Sequence, residues 1–472
     1  MAPTKESLLR KIPAVDVLLQ DEDVKRLVEG VPRRLVVDAI RESVEETRQL
    51  ILSDTTGRCD EATIRDSILS RVEAKARAAM GPHYRKAINA TGIILHTGLG
   101  RAVLAPRALR QIQDELSGYS VLQLSVETGK RSQRDARIEW LLRQLTGCEA
   151  ATVVNNNAAA TALVLNTVAK GKEVIVSRGQ LVEIGGSYRL PDVMAASGVT
   201  LVEVGTTNKT HARDYEHAIT QDTAAILRVH PSNYKIMGFS AEVPLDEMIA
   251  IAHAHDLPLI DDVGAGALTD FTQFGFHDQE MLQASVRAGS DLTTSSADKL
   301  ISASQGGIIL GKAKWIEAVR RNPLARAMRI GKLTFAALEA TLTLFLDEER
   351  VLEELPTLRM LRRELPDIKA QADRIAGAVR QRASGADVTV IEGASQMGSG
   401  SLPTQNIPTW LVAVNAAALD ASELAARLRR SSPPVFTRIQ KDQVLIDPRT
   451  LQEGEEPLLI EILVGVLGGQ GR

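Results

Sequence analysis

Between residues 88 and 333 the chain alternates short apolar runs with helical ones, and this alternation limits the possible fold more than any other feature. The runs 151–154, 173–176, 200–204, 224–229, 257–261 and 308–310 read as strands, and 157–168 reads as a helix between the first two. Strands separated by helices build a mostly parallel sheet with helices covering its faces. Such a sheet binds ligands beyond the carboxyl ends of its strands. The polar clusters of this chain fall at those ends.

The clearest cluster follows 292–296, a run of small and β-branched residues that reads as a short buried strand. Asp298 and Lys299 come next, and after them Gly306, Gly307 and the apolar run 308–310. A lysine buried at a strand end loses hydration, which favours the neutral amine. A neutral amine can attack an aldehyde, and pyridoxal phosphate is the aldehyde that proteins most often hold this way. The competing reading is a surface lysine in the turn after a strand.

Three further clusters bear on that choice. Asn155, Asn156, Asn157 and Ala158 stand between a strand and a helix. Backbone N–H groups at a helix start can hold a phosphate, although asparagine is also an ordinary helix cap. Asp261 and Asp262 follow the run 257–260, and one of them could face the ring nitrogen of the cofactor. Arg101 follows the turn Thr97-Gly98-Leu99-Gly100, while Arg326 and Arg329 are spaced to share one helix face. Guanidinium groups match phosphate-like oxyanions, and the alternative for the pair is a solvated basic face. Gly98-x-Gly100 lacks the third glycine of a dinucleotide fingerprint, with Val103 in its place. His253 and His255 have no cysteine or further histidine nearby to make a metal site.

The flanks differ from this middle region. Residues 1–86 read as all-helical, with Pro32 opening one helix and Ile64, Ile68 and Val72 lining another that starts near Glu61; the run 53–57 breaks the chain between them. Acids and bases nearly balance there, so a nucleic-acid contact would depend on placement, and a bundle used for assembly is an equal alternative. A helix over 334–347 leads into a smaller α+β part, 334–472, with helix continuing over 352–380 and strands at 388–391, 409–414 and 443–446. The expected domains are therefore 1–86, 87–333 and 334–472. A net charge of −3 gives no global attraction to nucleic acid or anionic membrane. Two cysteines, Cys59 and Cys148, are too few for a disulfide framework, which points to a reducing cytoplasm. No uncharged apolar run is long enough to span a bilayer.

Longer stretches carry a family resemblance. The run 88–101, Ile-Asn-Ala-Thr-Gly-Ile-Ile-Leu-His-Thr-Gly-Leu-Gly-Arg, resembles the opening of the catalytic domain of the bacterial selenocysteine synthases, the L-seryl-tRNA(Sec) selenium transferases. So do 153–160, 177–194, 204–208, 232–234 and 323–329, as well as 398–403, 433–438 and the N-terminal run 9–16. The resemblance implies a fold-type-I pyridoxal-phosphate enzyme assembled as a ring of dimers, commonly a decamer. Its reaction turns seryl-tRNA(Sec) into selenocysteinyl-tRNA(Sec) with selenophosphate, by β-elimination and selenium addition. By position, Lys299 is the Schiff-base lysine and Asp262 the ring-nitrogen partner. Asn155, Asn156, Asn157 and Ala158 fall at the cofactor. Arg101, Arg326 and Arg329 hold the selenium donor, Thr206 and Thr207 stand with them, and Asn233 and Asp298 are active-site positions. The helical N-terminus binds the D-arm of the tRNA.

Two departures stand out. The family pattern Leu-Gly-Gly-Pro-Gln-Ala-Gly after the lysine is here Ile301-Ser302-Ala303-Ser304-Gln305-Gly306-Gly307, and Gln180 replaces a common glutamate. The resemblance does not name the residue that stacks on the cofactor ring; His230 is a candidate, as is a purely structural role for it. The rival functions are a pyridoxal-phosphate lyase of a small free amino acid and a non-catalytic tRNA-binding paralogue.

Overall fold

The computed structural model describes residues 4–53, 63–277, 279–399 and 401–468. Ser53, the first residue of the expected break at 53–57, ends a helix instead, while 54–57, Cys59, the first two residues of the helix expected from Glu61, and Gly400 lie outside the described residues. The chain forms two compact units, Met1–Lys86 and Ala87–Arg472.

The first unit is helical: α1 (Lys5–Arg10), α2 (Val15–Leu18), α3 (Glu22–Gly30), α4 (Arg33–Ser53) and α5 (Ile64–Met80). Thr4 and Asp21 cap α1 and α3 by accepting from the N–H groups of Ser7 and Asp23. Val36, Ile40 and Ile51 of α4 and Ile68, Val72 and Ala76 of α5 are buried in one core, closed by Leu8, Leu18 and Val24. Lys75 ties the two long helices by ion pairs to Glu42 at 2.8 Å and Glu46 at 2.9 Å.

The second unit opens with β1 (Ile88–Asn89), α6 (Pro106–Leu116) and α7 (Ala136–Thr146). Then come β2 (Ala150–Val154), α8 (Asn157–Ala169), β3 (Glu173–Ser177), the hairpin β4 (Glu183–Ile184) and β5 (Tyr188–Arg189), β6 (Thr200–Val204), β7 (Thr223–Val229), β8 (Leu259–Gly264), β9 (Leu292–Ser296) and β10 (Gly307–Gly311). The large sheet has the order β2-β10-β9-β8-β7-β3-β6. All its pairs are parallel except those of β10, which runs antiparallel to both β9 and β2. The reason is length: a parallel return needs a crossover of a dozen or more residues, and only 297–306 join β9 to β10.

The C-terminal part begins with helix Lys332–Leu344, which straddles position 333. The continuous helix expected over 352–380 is instead three, Glu348–Glu354, Pro356–Arg362 and Leu365–Arg382. Pro356 and Pro366 each sit in the first turn of a new helix, where the missing N–H does no harm, and could not have continued the old one. Strands β11 (Ala386–Gly398), β12 (Ser401–Ala416), β13 (Val435–Phe436), β14 (Arg438–Gln440) and β15 (Gln443–Ile446) follow, with the four-stranded order β11-β12-β15-β14. The short strands expected at 388–391 and 409–414 are thus the middle of a long hairpin. Gly393, paired with Thr409, and Pro408, paired with Ala394, hide its length, because both residue types are weak strand signals.

Residues 88–95 are built into this C-terminal layer. Ile88 and Asn89 pair with Val435 and Phe436, and Ile94 and Leu95 donate to the carbonyls of Gln396 (2.9 Å) and Met397 (2.7 Å). Buried Asp447 fixes the junction. It accepts from Ser395 Oγ at 2.7 Å and Thr409 Oγ1 at 3.0 Å, and its side chain fills the space a Cβ at Gly92 would need. The chain therefore enters the large sheet from the C-terminal layer, which brings the turn at 96–101 to the end of β9.

Candidate active site

The turn after β9 carries Asp298 and Lys299, and both are buried, Lys299 to 8 % exposure. Lys299 is no surface-turn residue. Burial, then the charge of Arg101, hold its amine below the ordinary lysine value, while Asp298 and Asp262 pull the other way. Arg101 Nη1 lies 2.5 Å from Asp298 Oδ2. The turn that delivers it is tight: Gly100 and Arg101 both adopt left-handed conformations, with φ of 92° and 63°, and Arg101 N donates to the His96 carbonyl at 2.9 Å. Glycine takes that conformation freely and arginine does not, so the fold maintains local strain to hold this guanidinium beside the lysine.

Strand alternation separates the two neighbouring aspartates of β8. Asp262 meets α8: Oδ1 accepts from Asn157 Nδ2 at 2.8 Å and from Gly264 N at 3.1 Å, and Oδ2 accepts from Thr161 Oγ1 at 2.8 Å. Asp261 instead pairs with Arg228 Nη1 at 3.0 Å, and burial pushes its carboxyl up. Asp262 is the one whose charge reaches Lys299.

The asparagine cluster divides its labour. Asn156 is the cap of α8 and accepts from Ala159 N at 2.8 Å. Asn157 turns its amide onto Asp262. Asn155 is held through its backbone, donating to the Met328 carbonyl at 2.8 Å. Ala158 lies in the first helical turn, where N–H groups have no partner within the helix. Strand β10 presses close to this start, since a Cβ at Gly307 would fall 2.1 Å from the Asn156 carbonyl oxygen.

Other expected residues lie elsewhere. Asn233 donates to the Glu183 carbonyl at 2.9 Å, so it belongs to the loops at the end of β7. His230 is beside it; its N–H donates to the Asp262 carbonyl at 2.9 Å, and its Nδ1 is 3.7 Å from Glu280 Oε1. Thr206 and Thr207 follow the edge strand β6, four strands from β9. At ordinary strand spacing that is about 19 Å from the lysine strand. Thr206 Oγ1 bonds the Lys209 carbonyl at 3.0 Å, and the structure does not bring the pair to Lys299. The shared helix face expected for Arg326 and Arg329 is not formed. That helix is only Pro323–Ala327, and Arg329 lies beyond it, bridged to Val154 at the end of β2. Both arginines stand close enough to Arg134 for their charges to act on it, as does Arg131. Arg131 and Arg134 belong to an irregular segment whose sequence carries no pattern. Thr161 could have been found, one turn beyond Asn157 on the same face.

A cavity of about 500 Å³ opens beside the ends of β7 and β8, lined among others by Arg228, His230, Tyr234, Glu242 and Glu280. Among the described residues, Asn157 Oδ1, Asn233 Oδ1 and His96 Nδ1 are buried without a protein hydrogen-bond partner. Burial lowers the affinity of the His96 ring for a proton. A buried lysine whose amine is held below its ordinary value, an anchored carboxylate and the first-turn N–H groups of Asn157 and Ala158 fit pyridoxal phosphate, with its aldehyde, ring nitrogen and phosphate.

Residues 87–452 match the family described as L-seryl-tRNA selenium transferase, and 9–48 match that described as selenocysteine synthase N terminal. The chain belongs to this family. It is 44 % identical over 465 residues to the L-seryl-tRNA(Sec) selenium transferase of Alkaliphilus metalliredigens, covering 97 % of this chain and 98 % of that one. With the same-named protein of Nitratidesulfovibrio vulgaris it shares 44 % over 455 residues, 95 % and 96 % of the two chains. Among solved structures, D-glucosaminate-6-phosphate ammonia-lyase superposes with a TM-score of 0.55 at 22 % identity, over 82 % of this chain and 97 % of that one, a likeness of fold alone. The fold is that of the fold-type-I pyridoxal-phosphate transferases, a mostly parallel sheet with a helical N-terminus.

The departure after the lysine now has a structure. Ser302, where the family pattern has glycine, is left-handed with φ of 59° and fully buried. Its N–H and Oγ both bond the Lys299 carbonyl, at 2.9 and 3.2 Å. Gln180 accepts from Val229 N at 3.0 Å, a bond that a neutral amide makes without burying a charge.

Proposed function

We propose that this protein replaces the seryl hydroxyl of L-seryl-tRNA(Sec) with selenium, using selenophosphate as donor and pyridoxal phosphate as cofactor. The observation that carries the reading is a buried Lys299, its amine held below the ordinary lysine value and flanked by the Arg101–Asp298 pair, in a chain aligned over nearly its whole length with relatives of that name. Lys299 would hold the cofactor at its aldehyde carbon, Asp262 at the ring nitrogen, and the first turn of α8, from Asn157 and Ala158, at the phosphate. When bound, the cofactor supplies an electron sink for the α-carbon of an attached amino acid.

The chain's own groups then have separate tasks. Lys299 Nζ takes the α-proton of the seryl group, a task for an amine near neutrality. Asp298 keeps Arg101 at the shoulder of that amine. The seryl carboxyl is esterified to tRNA and presents no anion, so the arginines need another. Selenophosphate supplies it to Arg101, Arg326 and Arg329, with Arg134 adding charge. Asn233 lies among the loops at the end of β7, while Thr206 and Thr207 stand beyond the edge strand β6, apart from Lys299. The helical unit 1–86 would bind the tRNA, and the protein would work in the cytoplasm as a homo-oligomer, a ring of dimers. No helix among the described residues is long and apolar enough to cross a membrane.

Donor dependence tests the reading. Loss of one charge-assisted contact costs about 1.5–3 kcal/mol, or roughly tenfold to a hundredfold in donor handling. Arg329→Ala should slow selenium incorporation by that factor while seryl-tRNA binding and the cofactor spectrum stay unchanged. Normal selenophosphate dependence in the Arg101, Arg326 and Arg329 alanine variants alike would put a lyase of free amino acids ahead.

A further inference from the structure

Asp262 is held by more donors than a ring-nitrogen partner needs for packing. Thr161 lies one turn beyond Asn157 on α8 and is fully buried, so both side chains meet β8. Thr161 Oγ1 is 2.8 Å from Asp262 Oδ2 and 3.0 Å from the Asn157 carbonyl. A hydroxyl has one proton, and an ionised carboxylate at the shorter distance is the stronger acceptor. The Thr161 oxygen then has a lone pair to spare. The other carboxylate oxygen is covered by Asn157 Nδ2 and Gly264 N.

We propose that Thr161 and Asn157 form a donor chain that holds Asp262 aimed at the cofactor's ring nitrogen, which makes Thr161 a positioning residue. This rests on Asp262 being the ring-nitrogen partner. Donors on both oxygens fix the orientation of a carboxylate, and a carboxylate held toward the ring nitrogen is what favours a proton there. The bland alternative is that Thr161 only bonds back to its own helix, as threonine often does four residues on.

The test uses the full chain loaded with pyridoxal phosphate isotope-labelled at the ring nitrogen. Its nitrogen NMR resonance reports protonation, and a titration reports cofactor affinity. Thr161→Val should move the resonance toward the unprotonated value and weaken cofactor binding about tenfold. Thr161→Ser should restore both. If Thr161→Val keeps the wild-type resonance while Asp262→Asn moves it, the donor chain is overturned and Asp262 keeps its role. If Asp262→Asn also leaves the resonance in place, the ring-nitrogen assignment itself fails, and the donor chain with it.

Discussion

Gly306 and Gly307 are neighbours, yet an added methyl group meets opposite surroundings at each. At Gly307 a Cβ would fall 2.1 Å from the Asn156 carbonyl oxygen, 2.5 Å from its carbon and 3.0 Å from Ala160 Cβ. At Gly306 the nearest atoms are Ala297 Cβ and Val153 Cγ2, both at 3.5 Å, an ordinary contact. Gly307→Ala therefore drives the Asn156 backbone back by about 1 Å to reach van der Waals distance. Neither side yields easily. Asn156 O accepts from Ala160 N at 3.0 Å, and β10 is paired on both edges. Overpacking of this kind costs about 1–3 kcal/mol. The displacement falls on the cap of α8, and so on the N–H groups proposed to hold the cofactor phosphate. Errors of about 1 Å in a positioned group can cost about a hundredfold in function. Cofactor affinity, measured by absorbance titration, should fall at least about tenfold in Gly307→Ala. Gly306→Ala should bind as wild type and gain about 0.4–1 kcal/mol in stability, because alanine has less unfolded freedom to lose. Equal cofactor affinity in the two variants would refute the claim that β10 sets the position of the helix start.

Lys299→Ala should abolish covalent trapping of the cofactor by hydride reduction; a labelled peptide from any other lysine would contradict its role. Arg33 and Arg34 open α4, exposed and without an ion-pair partner among the described residues, and no acid stands in that first turn. Replacing both with alanine should weaken tRNA binding and flatten its salt dependence by about one to two phosphate contacts, whereas an unchanged slope would remove them from the interface. At Asp291, burial raises the carboxyl, but hydrogen bonds from Lys312 and His253, both 2.8 Å, and from Leu259 N hold it below its usual range. A depressed folded value stabilises above the unfolded value of about 3.9 and is lost as pH falls through the folded one. Unfolding curves of wild type and Asp291→Asn should therefore differ at neutral pH and converge on acidification. Ser302→Gly and Ser302→Ala both lose the hydroxyl, but only glycine relieves the left-handed strain. Urea denaturation should place the glycine variant about 1 kcal/mol above the alanine variant after the greater entropy loss of glycine is subtracted.

Much of the site was legible because it follows from strand ends. The buried run 292–296 and the odd lysine after it marked β9 and its turn, and the alternation of apolar runs marked every strand of the large sheet from β2 onward. The direction of β10 was not legible from its own residues, since an apolar run reads the same either way; the length of the connection decides it. Asp262 and Asp261 are adjacent and chemically identical, and only the pleat, with α8 on one side and Arg228 on the other, tells them apart. The arginine pair misled for a related reason. Spacing of three residues implies a shared face only if the helix continues, and Arg329 leaves it to bridge β2. Thr206 and Thr207 were grouped with the donor through motif resemblance, which carries no distance, and the strand order sets them apart from Lys299.

The electrostatics around Lys299 explain why a strained arginine belongs there. A buried lysine next to an aspartate would ordinarily keep its proton, because an ion pair offsets desolvation. Such an amine would be paired and unreactive. Here Asp298 is already engaged, 2.5 Å from the guanidinium of Arg101, and an arginine cannot give up its charge. The carboxylate therefore answers to Arg101 more than to Lys299, and the guanidinium itself repels a proton on the amine. Burial decides the balance, with Arg101 reinforcing it. The left-handed turn at Gly100 and Arg101 is what brings the guanidinium to that place. Strain in the turn and an available amine at Lys299 are thus two ends of one arrangement.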